Sequence, residues 1–457
     1  MAKAKATSRL IALAAATLGF LPNRSIFDQI KLTKLLISYA EQEKKNGAIV
    51  ALDQEKAYDK ITHDYLWKTL KKMGIPAHFT NIIKNLYENA NTKIIINGVV
   101  SNPFKITRGV RQGDPLSCIL FDLAIEPLAE MLRKSTIKGY KVPKCSKKII
   151  TTLFADDTTV YLSSEDSFSN LQQVLSKWCN ASGAKFNINK TEVIPIGDPE
   201  YRESLRTTRK LSNDQGCIPQ NIHITKEGEP TRILGAWVGN NADQQGIWSR
   251  TLDKIDKSLT QWSKSHPTME GRKLIIQMTI AGMTQYLTKV QGMPKEVESA
   301  LVKKIRSFLW NKEGTPPINE LTLQSPIAEG GRKVLDLGAR NKAIQLTWLK
   351  SYLNIGKQRP TWAYIADEII RKNILTNQKN VESSSRVNPF LQSWRPSKKK
   401  LPQELKEMLK TAEEFNVKIK TLKPTKTLQN TLPIWFHKGG NELLNVLYSY
   451  KEAKCLT

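Results

Sequence analysis

Between Ile149 and Leu162 two apolar arms meet at a pair of aspartates, and few folds accommodate that arrangement. Ile149, Ile150, Leu153 and Phe154 run up to Asp156-Asp157, and Thr158, Thr159, Val160, Tyr161 and Leu162 run away from it. β-branched, aromatic and aliphatic residues suit a pleated, half-buried strand, and the break falls on residues that favour turns. The expectation is a β-hairpin carrying both carboxylates at its tip. Adjacent carboxylates repel each other unless cations or strong donors neutralise them. A solvated turn would also tolerate two aspartates. The tetrapeptide FADD between two apolar strands is a narrower pattern, and two constellations upstream fit it.

The first is Ala48-Ile49-Val50-Ala51-Leu52, a short continuous apolar run of the kind that marks a buried strand, which delivers Asp53 at its end. Tyr58 and Asp59 follow. The second is RGVRQGDPLS, Arg108 to Ser117, dense in glycine and charge. A carboxylate from a buried strand meeting a carboxylate pair on a neighbouring hairpin makes a hard oxygen site. Mg²⁺ suits such a site, keeping several waters and taking substrate phosphates as its remaining ligands. Two metals about 4 Å apart activate an attacking hydroxyl and stabilise a leaving pyrophosphate in one in-line displacement. Gly109 and Gly113 let backbone approach a substrate closely, and Arg111 and Gln112 supply donors to phosphate, sugar or base.

Around these stretches the pattern alternates. Helices are expected over Phe27–Ala40, around Tyr65–Met73, from Phe79 onward, over Cys118–Leu132 and over Phe168–Trp178. Ile94 to Val100 reads as a hairpin about its Asn97-Gly98 turn. Lys185–Lys190 and Val193–Ile196 read as two short strands, 197–229 as linker-bearing sequence, and Ile233–Val238 as a further strand. The fold class that follows is α+β, built on a small antiparallel sheet. Beyond it the pattern turns helical: Trp248, Leu252, Ile255, Leu259 and Trp262 share one helix face, with both tryptophans expected in the core. Helices over Leu274–Val290, Val297–Trp310 and Ala343–Leu353 lead into a lysine-rich tail containing Lys398-Lys399-Lys400, expected to be partly flexible.

Charge narrows the partners. Against 42 Asp+Glu stand 70 Lys+Arg, a formal net charge of +28, which favours a polyanion such as nucleic acid or an acidic membrane surface. The five cysteines (Cys118, Cys145, Cys179, Cys217, Cys455) form no C-x-x-C pair, which argues against a zinc knuckle or a disulfide framework and suits a reducing compartment. His63 and His78 are expected to be ordinary surface or core-edge residues. Lys3, Lys5 and Arg9 before the uncharged run Leu10–Leu21 imitate a secretory signal, but that run is short of the roughly 20 residues of a membrane span. The odd cysteine count favours an alanine-rich helix there instead, in a nuclear or cytoplasmic protein that is neither secreted nor membrane-bound.

At these residues the sequence resembles the reverse transcriptases, and more narrowly those of non-LTR (LINE-type) retrotransposons. LDQEKAYDKI (Leu52 to Ile61) looks like the family's first palm motif, RGVRQGDPLS like the second, FADD like the third, and ASGAKFNINKTE (Ala181 to Glu192) like the fourth. Ile233-Leu234-Gly235 resembles the primer grip. GFLPNRSI (Gly19 to Ile26) resembles the start of a fingers motif, with Asn23-Arg24 where Gly-Arg is usual. The phrase ALDQEKAYDK is most similar to the Tad-like fungal elements. The resemblance extends from about residue 19 to about 365, and five motifs in order at natural spacing make a specific signal.

What the resemblance implies is a right-hand polymerase that copies an RNA template from a DNA primer with dNTPs. Asp53 and Asp156 would be its metal ligands, with Asp157 beside them, serving two Mg²⁺ ions or Mn²⁺ in their place. Tyr58 would be the gate that excludes a ribose 2′-hydroxyl; Gln112 and Gly113 would lie along the incoming nucleotide and template, with Arg111 beside them. Lys190 would be a proton donor to pyrophosphate, and Leu234 and Gly235 the primer grip. The implied domains are remnant fingers and an N-terminal helix (1–46), the palm (47–230), primer grip and helical thumb (231–320), and a basic C-terminal extension (321–457). Family members carry more fingers sequence than the 18 residues that precede GFLPNRSI here, and no endonuclease, zinc knuckle or RNase H pattern is recognisable. The expectation is a fragment of a longer element protein, and the rival to an active enzyme is an inactive remnant that only binds nucleic acid.

Overall fold

The structure, a computed structural model, describes residues 25–212, 216–311, 317–356, 358–375, 386, 388–390, 392 and 394–417. The chain divides into two compact units, residues 1–242 and 243–457. The expectations for the N-terminal run and for most of GFLPNRSI lie outside the described residues.

In the first unit Ser25 caps helix α1 (Ile26–Glu43), its hydroxyl accepting the Phe27 N–H. Strand β1 (Gly47–Gln54) follows, then α2 (Ala57–Lys60), α3 (His63–Lys72) and α4 (Ala77–Glu88). Two small ribbons come next: β2 (Asn91–Thr92) pairs with β5 (Phe104–Lys105), and β3 (Ile95–Ile96) pairs with β4 (Val99–Val100) across the Asn97-Gly98 turn. Helix α5 (Pro115–Lys134) begins at Asp114, whose carboxylate accepts the Leu116 N–H. The remaining elements are β6 (Thr151–Phe154), β7 (Asp157–Ser163), α6 (Phe168–Ser182), β8 (Phe186–Ile196), α7 (Pro199–Thr208), β9 (His223–Ile224), β10 (Thr231–Ile233) and β11 (Ala236–Val238).

The sheet runs β6-β7-β1-β8-β9, antiparallel except for the last pair. Its centre is β1, and the reason is legible in its residues: Ala48, Ile49 and Val50 are all fully buried, so both faces of the strand are covered. On one face Ala48, Val50 and Leu52 join a core with Leu66 and Leu70 of α3, Phe121 and Leu128 of α5 and Trp178 of α6. On the other face Ile49 lies beside Tyr161 and Ile194, and α1 covers them, with Thr33 Oγ1 2.8 Å from the Tyr161 hydroxyl. Burying strand β1 on both sides fixes where its last residues emerge. That end is the site.

Four expectations change. The two expected strands merge into one, Phe186–Ile196, because β1 pairs with both of its ends, Asn187 and Phe186 on one side and Glu192 to Ile196 on the other, with an irregularity between Ala51 and Asp53. The supposed linker holds α7 and β9, and its Leu205, Leu211, Ile218, Ile222 and Ile224 belong to the core. Ile233–Val238 is not one strand but a hairpin, with Leu234 and Gly235 at its turn in left-handed backbone (φ 50° and 80°), and this ribbon lies in the same unit as the sheet. Ile149 stands before β6, bridged to Tyr140.

The second unit is helical among its described residues: α8 (Gln244–Ser263), α9 (Met269–Ile276), a π-helical turn (Gln277–Ala281), α10 (Gly282–Gln291), α11 (Lys295–Trp310), α12 (Glu320–Gln324), α13 (Leu337–Tyr352), α14 (Thr361–Lys372) and α15 (Gln403–Glu414). Trp248 is fully buried and donates its indole N–H to Gly292 O, as a core residue should. Trp262 is not core. It is 41% exposed in the last turn of α8, where Thr260 and Gln261 are exposed too. Among the described residues of the tail Trp362, Trp394, Leu405 and Met408 are buried; residues 376–385 and 418–457 lie outside the described set. No described helix is long and apolar enough to cross a membrane, and the four described cysteines are free.

Candidate active site

Register decides which side chains meet. In the β1–β7 ladder Leu52 pairs with Thr158, which leaves Asp53 and Asp157 each one residue beyond the last pair, at the adjoining ends of the two strands. The Gln54 side chain ties the end of β1 to the turn, Nε2 donating to Asp156 O at 3.3 Å. Phe154 pairs with Asp157, which confines the turn to Ala155 and Asp156. Asp157 is therefore the first residue of β7 rather than part of the turn. Ala155 takes the left-handed conformation (φ 52°) that most side chains avoid, at a cost of roughly 1–2 kcal/mol. The outcome is one carboxylate at the turn and two at the adjoining ends of β1 and β7, close enough that Asp53 and Asp156 both act on Asp157.

Like charges brought this close disfavour each other's ionised form. Partial burial, then Asp156, then Asp53 push the Asp157 carboxyl up to about 6, although the residue itself stays exposed. Lys190 of β8 approaches from the other side, its Nζ 3.7 Å from Asp53 Oδ2. Both partners are substantially exposed, so the pair is weak and easily opened. The donor set is three hard carboxylates, the chemistry that Mg²⁺ or Mn²⁺ accepts. Among the described residues no three His, Cys, Asp or Glu side chains are gathered tightly enough to hold an ion unaided. The residues fit a metal whose shell is completed by water and substrate oxygens.

Tyr58 stands on α2, its ring stacked on Phe121 of α5 at 4.5 Å and 23°. Burial, then Cys118, Asp122 and Asp156, push its hydroxyl up to about 12, so it remains a neutral phenol beside the carboxylates. Behind it the chain 58–63 is laced to the loop that precedes α5. Val110 N–H donates to Tyr58 O at 2.8 Å, Gly109 N–H to Ile61 O at 2.7 Å, and Thr62 bridges Arg108. A Cβ at Gly109 would lie 2.9 Å from Asp59 Cα, so only glycine permits that approach.

The loop then presents Arg111, Gln112 and Gly113 at the surface. Gln112 Nε2 reaches Asp59 Oδ1 at 3.4 Å. Arg111 is already engaged: its guanidinium donates to Leu86 O and lies over the Tyr87 ring at 5.2 Å. Leu234 and Gly235 sit at the turn of the β10–β11 ribbon, and β11 packs against α1. The carboxylates and Lys190 thus form one cluster, with Tyr58 within electrostatic reach of Asp156 and the 108–113 loop tied to Tyr58's own segment. Sequence reading missed two contacts. Gln54, 6% exposed, anchors the aspartate turn, and a polar residue inside an apolar strand was the available signal. His63 is half-buried at the core edge, as expected, and in addition its Nε2 bonds Gly109 O at 2.9 Å, a contact no neighbouring residue announces.

A profile of the reverse transcriptase (RNA-dependent DNA polymerase) family matches residues 2–236. The chain is 26% identical over 365 residues to the transposon TX1 uncharacterized 149 kDa protein of Xenopus laevis, covering 77% of this chain and 26% of that protein. It is 30% identical over 185 residues to the retrovirus-related Pol polyprotein from type-2 retrotransposable element R2DM of Drosophila melanogaster, covering 40% of this chain and 17% of that one. The chain therefore spans about a quarter or less of the length of these relatives. Among solved structures a telomerase from Candida tropicalis aligns with 80% of this chain and 56% of that one at 12% identity, with a TM-score of 0.35, too distant a likeness to bear on the fold. The family match takes in the carboxylate hairpin, its central strand and the glycine loop together, and with the retroelement relatives it places this chain in the reverse transcriptase family, as the reverse transcriptase domain of a non-LTR retrotransposon.

Proposed function

We propose that this chain is an RNA-directed DNA polymerase that extends a DNA primer on an RNA template with dNTPs. The observation that carries the reading is that Asp53 and Asp157 stand at the adjoining ends of β1 and β7, one residue past the Leu52–Thr158 pair, with Asp156 at the turn. Two Mg²⁺ ions, or Mn²⁺ in their place, would be held by Asp53 and Asp156 with Asp157 beside them, and would supply hydroxyl activation and leaving-group stabilisation. Everything else falls to the chain's own groups. Asp157, with its proton bound up to about 6, releases it at neutral pH and completes the anionic cluster. Lys190, tethered only loosely to Asp53, swings to the pyrophosphate and gives it a proton. Tyr58, fixed by its stack on Phe121, holds a neutral ring against the sugar and excludes a 2′-hydroxyl.

Gln112 and Gly113 lie along the nucleotide and template, and Arg111 sets the shape of that loop more than it offers a free charge. The sheet unit is the palm, with Leu234 and Gly235 its primer grip; the helical unit is the thumb and basic extension. The phrase ALDQEKAYDK supports a place near Tad-like fungal elements, and a nuclear or cytoplasmic site of action suits free cysteines. The test is primer extension on RNA with purified protein and its Asp156→Ala variant. Extension by the parent, lost in the variant while template binding persists, is expected. Binding without extension in the parent would overturn the enzyme in favour of a nucleic-acid-binding remnant.

A further inference from the structure

His63 opens α3, ten residues past Asp53, and does three things at once. Its backbone N–H donates to Thr107 O at 3.1 Å. Its ring Nε2 lies 2.9 Å from Gly109 O, and since a carbonyl only accepts, Nε2 carries the proton. Its ring also meets Tyr87 edge-on at 5.2 Å and Trp67 at 5.8 Å. Tyr87, only 3% exposed near the end of α4, in turn lies beneath the Arg111 guanidinium, and its hydroxyl is 3.4 Å from the Arg111 amide nitrogen. Burial favours the neutral imidazole, the bond to Gly109 O works against it, and the neighbouring Arg111 charge adds to the burial, leaving the net shift downward.

These contacts form a chain from α3 through α4 to the loop bearing Gln112 and Gly113. The Gly109 and Val110 N–H groups are held by Ile61 O and Tyr58 O, His63 takes the Gly109 carbonyl, and Tyr87 takes Arg111. An exposed glycine-bearing loop has little burial of its own to define it, so these side chains must set its height and angle. We propose that His63 and Tyr87 are positioning residues that hold the Arg111–Gly113 loop in the conformation that receives the incoming nucleotide. Neither touches substrate; they act through the loop. The proposal rests on the polymerase reading for its kinetic consequence and on the loop's hydrogen bonds for its structural one.

The experiment separates those two supports. Amide hydrogen exchange over residues 107–113, and KM for dNTP against kcat, would be measured for the parent, His63→Ala, His63→Gln and Tyr87→Phe. His63→Ala removes one hydrogen bond to a buried-side partner, so KM should rise roughly three- to tenfold with kcat near parental. Exchange at Gly109 and Val110 should quicken while the β1–β7 ladder stays protected. His63→Gln keeps a neutral N–H donor and should recover most of both effects. Tyr87→Phe keeps the ring, so it folds even if His63→Ala does not, and should quicken exchange at the Arg111 amide. Parental exchange and parental KM in both His63→Ala and Tyr87→Phe would overturn the positioning role, as would an equal loss of KM and ladder protection. A parent that extends no primer would overturn the polymerase reading alone, leaving loop exchange to decide the role of His63.

Discussion

Gly109 and Gly113 offer a matched pair of perturbations, because their backbones are nearly alike and their surroundings are not. Their φ angles are 81° and 86°, so an alanine at either pays the same left-handed strain. That strain is roughly 1–2 kcal/mol, and the stiffer unfolded chain offsets about 0.4–1 of it. Gly113→Ala, with no atom within 4 Å of the new methyl, should therefore cost about 0–1.6 kcal/mol. At Gly109 the methyl would meet Asp59 Cα at 2.9 Å, Tyr58 O at 3.0 Å and Asp59 O at 3.1 Å. All three are backbone atoms, which cannot rotate aside. Overpacking of this kind adds about 1–3 kcal/mol, and that increment is the predicted difference between the variants. Urea unfolding with pulse-labelled hydrogen exchange, read on peptides of the sheet unit, should separate the midpoints by roughly 0.3–1 M. Gly109→Ala should also quicken exchange at Val110, whose N–H bonds Tyr58 O. Equal midpoints for the two variants would refute the claim that contact with Tyr58 and Asp59, rather than φ alone, demands glycine at 109.

Two further expectations follow from the carboxylates and the gate. Because the Asp157 carboxyl holds its proton up to about 6 when folded against 3.8 as its ordinary value, the folded state binds more protons across that window. Stability in chelator should therefore fall as pH rises from about 4 to about 6, and Asp157→Asn should flatten the profile; an unchanged slope would contradict charge crowding at the cluster. Tyr58→Ala removes a half-buried ring stacked on a fully buried one, so its stability cost should stay below the roughly 3–5 kcal/mol of wholly buried aromatics. The same variant should narrow the preference for dNTP over NTP in primer extension, and an unaltered ratio would leave Tyr58 a packing residue only.

Much of this protein is written locally, and the parts that are not share a cause. The apolar run ending in Asp53, the FADD hairpin and the Asn97-Gly98 turn are each encoded by residues close in sequence, so their existence and even their chemistry can be read directly. Periodicity likewise finds helices such as Ile26–Glu43, Pro115–Lys134 and Lys295–Trp310, since a buried face repeats every 3.6 residues whatever it packs against, but not Pro199–Thr208, Thr361–Lys372 or Gln403–Glu414. What sequence could not state is pairing. Whether Lys185–Ile196 breaks into two strands depends on β1 lying alongside it, and whether 197–229 is linker or core depends on sheet and helix surfaces contributed from elsewhere. Trp262 shares a face with Trp248 by periodicity, and only the reach of the neighbouring helices decides that one is buried and the other exposed. The same holds at the site. The sequence alone determined that three aspartates and a glycine loop belong together in chemistry; tertiary structure decided that Asp53 comes within electrostatic reach of Asp157, that Gln54 holds the turn and that His63 bonds the loop. Register and long-range hydrogen bonds join residues 46 to 116 positions apart, and no local propensity carries that information.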